Sequence, residues 1–173
     1  MTKDEEINEG GRPALYVNGN YIFNENEVNL IIKQDFKTEK DLCNYIENNI
    51  ELFCIDVLND IYISHSREFS INKKMRYNDN KKIDFFIKCA NKTYAIEVKN
   101  PTYKSELYAG IGQLLTYTVL FEINQIKVDR YILLTTKYDE IASKTIKKYN
   151  LPIDLYIFCK STYLKLENGC SQR

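Results

Sequence analysis

The spacing of apolar positions changes several times along this chain, and the changes outline its elements. In "LYVNGNYIF", Leu15 to Phe23, apolar residues alternate around Asn18-Gly19, a pair favoured in two-residue hairpin turns. From Thr38 the period lengthens to that of a helix, with Leu42, Tyr45, Ile46, Ile50 and Phe53 on one stripe. Thr38 is placed to cap that helix, and Asp41 stands three residues on as the acidic counterpart of a capping box. "IYISHSREFSI" alternates again, as a strand. "KKIDFFIKCANKTYAIEVKNP", Lys81 to Pro101, reads as two strands joined by a short turn, with Pro101 ending the second. A second helix begins at Ser105, with Leu107, Ile111, Leu114, Leu115 and Thr118 toward the core. A strand "VDRYILLTT", a helix "YDEIASKTIKKYN" and a strand "PIDLYIFCK" follow, and "TYLKLEN" adds an edge strand.

From residue 38 onward the order is α-β-β-β-α-β-α-β. That order predicts an α/β fold, a mixed sheet flanked by helices, with an N-terminal β-hairpin before it and a C-terminal α-β extension after its core. At 173 residues the chain is one domain's worth. Residues 1–12 read as a disordered acidic lead, 13–168 as a single domain and 169–173 as a loose tail.

Composition excludes several classes. Hydrophobic residues are 44% and charged residues 28%, which suits a soluble globular protein. No run approaches the roughly 18 apolar residues of a membrane helix, so no membrane partner is expected. "MTKDEEINEGG" lacks the apolar core of a secretory signal, and a cytoplasmic location is expected. The five cysteines, Cys43, Cys54, Cys89, Cys159 and Cys170, include no Cys-x-x-Cys, which argues against a zinc knuckle or an iron–sulfur cluster. The single His65 excludes chemistry that needs two histidines. Net charge is zero, yet Lys73, Lys74, Arg76, Lys81 and Lys82 cluster against one Asp79 and lead into Asp84. Alone, such a run is a solvated loop; beside a site it is a surface for phosphates.

The hairpin carries the candidate chemistry. Alternation puts Glu97 and Lys99 on one face of its second strand. In the first strand Ile83, Phe85 and Ile87 share a face, leaving Asp84, Phe86 and Lys88 on the other. A turn centred on Ala90-Asn91, with Cys89 facing Lys92, brings Asp84 across from Glu97, roughly 4.5–5.5 Å apart at Cβ. Two carboxylates at 4 Å repel by roughly 1 to 4 kcal/mol, depending on the effective dielectric, and a cation between them relieves it. Oxygen ligands without Cys or His suit Mg²⁺ or Mn²⁺. A lysine two residues on can orient a water and offset charge developing on phosphorus, as phosphodiester hydrolysis requires. The plainer reading is an ion triad in which Lys99 neutralises both acids. Asp35-Phe36-Lys37 and Asp79-Asn80-Lys81 also fit acid-x-Lys, but neither ends an apolar strand preceded by a strand bearing a paired Asp.

Asp84, followed after twelve residues by Glu97-x-Lys99, resembles the signature of the PD-(D/E)XK nuclease superfamily. The likeness covers roughly residues 38 to 136 and includes the element order α-β-β-β-α-β of that family's restriction-endonuclease-like core. Acid spacing is also similar to that of archaeal Holliday-junction resolvases. Ile83 stands where the family's name has Pro. The resemblance implies a Mg²⁺- or Mn²⁺-dependent DNA nuclease in which Asp84, Glu97 and the Val98 carbonyl hold the metal and Lys99 positions the attacking water. An acid of the first core helix often completes such sites. Glu39 matches best, with Glu47 as substitute, although a first-turn acid is also favoured by the helix dipole. Gln113 and Tyr117, four apart on one helix face, look like the Gln-x-x-x-Tyr element of exonuclease branches. That likeness implies that Gln113 fixes the water or Lys99, and that Tyr117 meets a base or a phosphate. Lys73, Lys74, Arg76, Lys81 and Lys82 would then hold DNA phosphates. Gly110 and Gly112 allow close backbone approach. Their "GIG" follows no strand and is no dinucleotide fingerprint, so no nucleotide cofactor is expected. Symmetric cutting of two strands would require a homodimer. The alternative is a catalytically inactive module of the same fold that binds nucleic acid or protein.

Overall fold

A computed structural model describes residues 16–17, 20–21, 36–71, 81–159 and 162–166. The acidic lead, the tail and the basic positions Lys73, Lys74 and Arg76 lie outside the described residues. Strands β1 (Tyr16–Val17) and β2 (Asn20–Tyr21) pair antiparallel, Tyr16 with Tyr21 and Val17 with Asn20, as the expected N-terminal hairpin.

Helix α1 (Glu39–Asn48) begins at the Thr38 cap. Thr38 Oγ1 accepts from the Asp41 amide at 3.1 Å, and Asp41 Oδ2 accepts from the Thr38 amide at 3.0 Å. The sequence predicts one helix as far as Phe53, but the chain breaks at Asn49. Asn49 turns its side-chain amide back to the Tyr45 carbonyl at 2.8 Å, competing with the helix's own ladder. The helix resumes as α2 (Ile50–Phe53), widens into a π-helical turn (Cys54–Leu58) and stops at the left-handed Asn59, φ 50°. The apolar stripe survives the break, since Leu42, Ile46, Ile50 and Phe53 are all buried.

Six strands form the main sheet: β3 (Tyr62–Ser70), β4 (Lys82–Cys89), β5 (Thr93–Lys99), β6 (Arg130–Thr135), β7 (Ile153–Cys159) and β8 (Thr162–Leu166), in that spatial order. The outer pairs β3–β4, β4–β5 and β7–β8 are antiparallel, whereas β5–β6 and β6–β7 are parallel. Each parallel pair needs a crossover, supplied by α3 (Lys104–Ile123) and α4 (Glu140–Lys148). The order of major elements is the predicted one, and the mixed sheet is flanked by helices as expected. No helix among the described residues is long and apolar enough to cross a membrane.

The sheet separates two cores. On one face Phe85, Ile87, Ile96, Val98 and Leu134 meet Leu42, Ile46 and Phe53. On the other Phe86, Ala95 and Leu133 meet Ile111, Leu114, Tyr117 and Phe121 of α3 and Ile146 of α4. Cys43, Cys54 and Cys89 are buried thiols. Ile83 departs from expectation by joining the second core with Phe86 and Ile71 instead of siding with Phe85 and Ile87. Its partner Phe69 explains this. Glu68 has a left-handed φ of 46° between the pairs Arg67↔Phe85 and Phe69↔Ile83, which breaks the alternation of β3. Phe69 thereby stacks on Phe86 at 4.5 Å, and Ile83 follows it to that side.

The β4–β5 register is the one the sequence implies. Phe85↔Ile96, Phe86↔Ala95, Ile87↔Tyr94 and Lys88↔Thr93 pair, and the Cys89 amide donates to the Lys92 carbonyl at 2.9 Å. Ala90-Asn91 is a poor tight turn, and Asp60 compensates. Its carboxylate accepts from the amides of Ile61, Asn91 and Lys92, from Asn91 Nδ2 and from the Tyr94 hydroxyl.

Candidate active site

The first residues of β4 and the last of β5 lie at one end of the sheet. Asp84 stands just beyond the last ladder pair, where its Oδ2 accepts from the Val98 amide at 2.8 Å. A strand residue's N–H and C=O point to the same edge, so the Val98 carbonyl is directed to the Asp84 side as well. Glu97 is 3% exposed: its Oε1 accepts from Lys99 Nζ at 2.8 Å, while its Oε2 is buried without a hydrogen-bond partner. Lys99 reaches Glu39 Oε1 at 3.9 Å, which brings the first residue of α1 to the end of β5.

Electrostatics follow from this crowding. Burial, then the Asp84 charge, push the Glu97 carboxyl up to about 7 despite the opposing effect of Lys99. Burial also raises Asp84 and Glu39, against the Val98 amide and Lys99 for the former and Lys99 for the latter. For Lys99 burial disfavours the charge, but Glu97, Glu39 and Asp84 outweigh it and hold the ammonium above its ordinary range. Lys99 is therefore a cation at neutral pH, facing three carboxyls that resist ionising together.

Helix α3 closes the site from the side. A Cβ at Gly110 would stand 2.9 Å from Leu133 Cδ1 and 3.2 Å from Lys99 Cγ, so glycine lets the helix lie directly on Lys99. Gly112 meets nothing within 4 Å and has no such role. Gln113 lies within hydrogen-bonding reach of the Tyr117 hydroxyl, which itself donates to the Lys82 carbonyl at 3.0 Å. Tyr117 is 3% exposed and belongs to the α3 core, so its ring offers no face to a base. Its observed contact is a strut between α3 and the start of β4. Burial, with Glu97 and Asp84 nearby, pushes its hydroxyl up to about 12.

The structure thus brings Asp84, Glu97, Lys99 and Glu39 together, with Gln113 and Tyr117 on the adjoining helix. Glu47 is engaged elsewhere, 2.8 Å from Arg67 NH1 and 3.6 Å from His65 Nε2, so Glu39 is the α1 acid at this end. Lys81 and Lys82 are exposed, and Lys82 pairs with Glu68 at 3.3 Å. Among the described residues, no three His, Cys, Asp or Glu side chains converge as a metal-holding group. The oxygen donors at hand are Asp84, the orphaned Glu97 Oε2 and the Val98 carbonyl.

Sequence reasoning passed over Asn100. Its backbone amide bonds Glu39, its Nδ2 donates to the Phe36 carbonyl at 3.1 Å, and its Oδ1 accepts from Thr136 Oγ1 at 2.6 Å. Asn100 therefore ties the chain before α1 and the end of β6 to the strand that carries Glu97 and Lys99. Its position directly after Lys99 is the one signal the sequence offered.

No protein-family model matches the chain, and no curated protein matches it. Among solved structures it is similar to a repair endonuclease from Pyrococcus abyssi, with a TM-score of 0.48 and 16% identity over 73% of this chain and 49% of that one. The chain thus spans about half the length of that protein.

Proposed function

We propose that the chain is a metal-dependent DNA nuclease that hydrolyses phosphodiester bonds at the sheet end where Asp84, Glu97, Lys99 and Glu39 meet. The observation that carries this reading is Glu97 Oε2, a buried carboxylate oxygen without a partner beside a second carboxylate. A closed ion triad would satisfy that oxygen, because a buried unpaired acceptor costs about 1–3 kcal/mol. An acceptor left open where negative charge is already crowded fits a hard cation.

Asp84, Glu97 and the Val98 carbonyl would hold Mg²⁺ or Mn²⁺, which when bound supplies Lewis-acid polarisation of a phosphodiester oxygen. In this reading the Lys99 ammonium orients the attacking water and offsets the negative charge that grows on the phosphoryl oxygens. Glu39, at the first residue of α1 and 3.9 Å from Lys99, orients that water from the α1 side. Gln113 fixes the water or Lys99. The water oxygen bonds to phosphorus as it gives up a proton to solvent, the bond to the leaving sugar oxygen breaks, and that oxygen takes up a proton from solvent in turn. Lys81 and Lys82, with Lys73, Lys74 and Arg76 of the same basic run, hold backbone phosphates. Symmetric cutting of both strands would need two copies of the chain.

The test is a cleavage assay on linear duplex, single-stranded, nicked-circular and four-way-junction DNA. Each is run with Mg²⁺, Mn²⁺ or EDTA, for wild type beside Asp84→Asn and Glu97→Ala. The expected result is metal-dependent cutting that falls at least about a thousandfold in both variants. Cutting retained in both would sink the site assignment. Tight DNA binding without cutting would establish the inactive module instead.

A further inference from the structure

A cavity of about 640 Å³ opens on the α3 face at the opposite end of the sheet from the acids, within the roughly 300–1,000 Å³ of small-molecule sites. Phe69 and Phe86 wall it, the cross-strand pair Lys88 and Thr93 borders it, and Asn124 and Lys127 close it from the end of α3.

Three features give it a chemistry. Phe69 and Phe86 are stacked at 4.5 Å and 18°, with Phe121 5.7 Å from Phe86; Phe86 is buried and Phe69 is partly exposed, so a flat ring entering the cavity would extend the stack at Phe69. Asn124 is only 8% exposed; its Nδ2 donates to the Leu120 carbonyl at 2.8 Å, which fixes the amide's orientation, and its Oδ1 is buried without a partner. Such an acceptor is completed by a ligand that brings an N–H. Lys88 and Lys127 are exposed cations on the rim, Lys127 lying 3.1 Å from Asp129. The combination is a stacking wall, an acceptor awaiting a donor, and a rim that suits an anion.

We infer that this cavity binds a nucleotide unit, with its base against Phe69, its amino edge toward Asn124 Oδ1 and its phosphate on Lys88 and Lys127. Two sources share that chemistry: a free mononucleotide and one nucleotide of a single strand. Lys88 lies roughly 13 Å along β4 from Asp84, at about 3.3 Å per residue, so one strand can occupy both places. The inference does not require the acids to be catalytic.

Calorimetric titration in EDTA tests it without metal, so that its failure and that of the nuclease reading are distinguishable. The ligands are deoxyadenosine 5′-monophosphate, the same nucleotide lacking its amino group, a single-stranded pentanucleotide, and inorganic phosphate. They are titrated into wild type and a Lys88→Ala/Lys127→Ala double variant, whose changes lie on the exposed rim and spare the core. The expected result is binding of the nucleotide, the pentanucleotide or both, weakened about tenfold in the double variant with a shallower salt dependence. Loss of the amino group weakens binding roughly fivefold, and inorganic phosphate alone does not bind. Binding of the mononucleotide identifies a free ligand as sufficient, whereas binding of the pentanucleotide alone identifies a strand. The idea is overturned if neither binds, or if the double variant binds as wild type does.

Discussion

Asp60 and Glu97 are buried carboxylates at opposite ends of the same β4–β5 hairpin, and their surroundings differ. Asp60, at the turn, accepts from five donor groups, and these hold its carboxyl below the usual range although burial acts the other way. Glu97, at the open end, has one oxygen on Lys99 and the other on nothing, and burial with Asp84 pushes it up to about 7. The first is a finished polar network that fixes a turn. The second is unfinished, with an acceptor that the folded chain itself leaves unsatisfied.

The contrast predicts that the two ends respond oppositely to substitution. Glu97→Gln should abolish cleavage, by about a thousandfold or more, while thermal unfolding at pH 8 in EDTA stays as cooperative as wild type. Asp60→Ala should do the reverse, lowering Tm by more than about 5 °C while the folded protein still cuts. Paired melting curves and rates decide, and a Glu97→Gln protein that unfolds earlier than Asp60→Ala would reverse the assignment.

A pH series sharpens the comparison. Below about pH 4.5, folded and unfolded chains both hold the Glu97 proton; between there and about 7, the folded chain holds more. Stability in EDTA should therefore fall as pH rises through this window, by on the order of 3 kcal/mol, and level off above it. Asp84 and Glu39 are also raised and act in the same direction. Lys99 is raised too, and its contribution is lost only in the alkaline range. Asp60 works oppositely: its depressed pKa contributes stability that is lost as pH falls through the acid range. Urea unfolding across pH should show the neutral-range slope in wild type and little of it in Glu97→Gln.

Two smaller effects probe how α3 seats the site. Gly110→Ala should cut activity about tenfold, because its Cβ meets Leu133 and the Lys99 stem, whereas Gly112→Ala should leave activity unchanged and add up to about 1 kcal/mol through helix propensity. Tyr117→Phe removes the bond to the Lys82 carbonyl and should cost about 1 kcal/mol with cleavage largely kept. Steady-state rates beside denaturant midpoints check both.

The sequence by itself determined the element order, the Thr38–Asp41 cap and the β4–β5 register, because each rests on period, local hydrogen bonding or alternation. The register also put Asp84 just beyond the Phe85↔Ile96 pair, where it accepts from the Val98 amide, and Glu39 at the start of α1 reaches Lys99 at the same end of the sheet. Tertiary structure alone decided the rest. Ile83 changed sides because a left-handed residue in a neighbouring strand broke the alternation on which the reading depended. Tyr117 became a buried strut because the depth of a helix face depends on what packs over it, which spacing does not encode. The hold of Asp60 on a turn thirty residues away, and the tie from Asn100 to Phe36 and Thr136, are long-range hydrogen bonds between single polar residues. Such pairs leave no periodic trace in a sequence, because their partners are chosen by the fold and not by their neighbours in the chain.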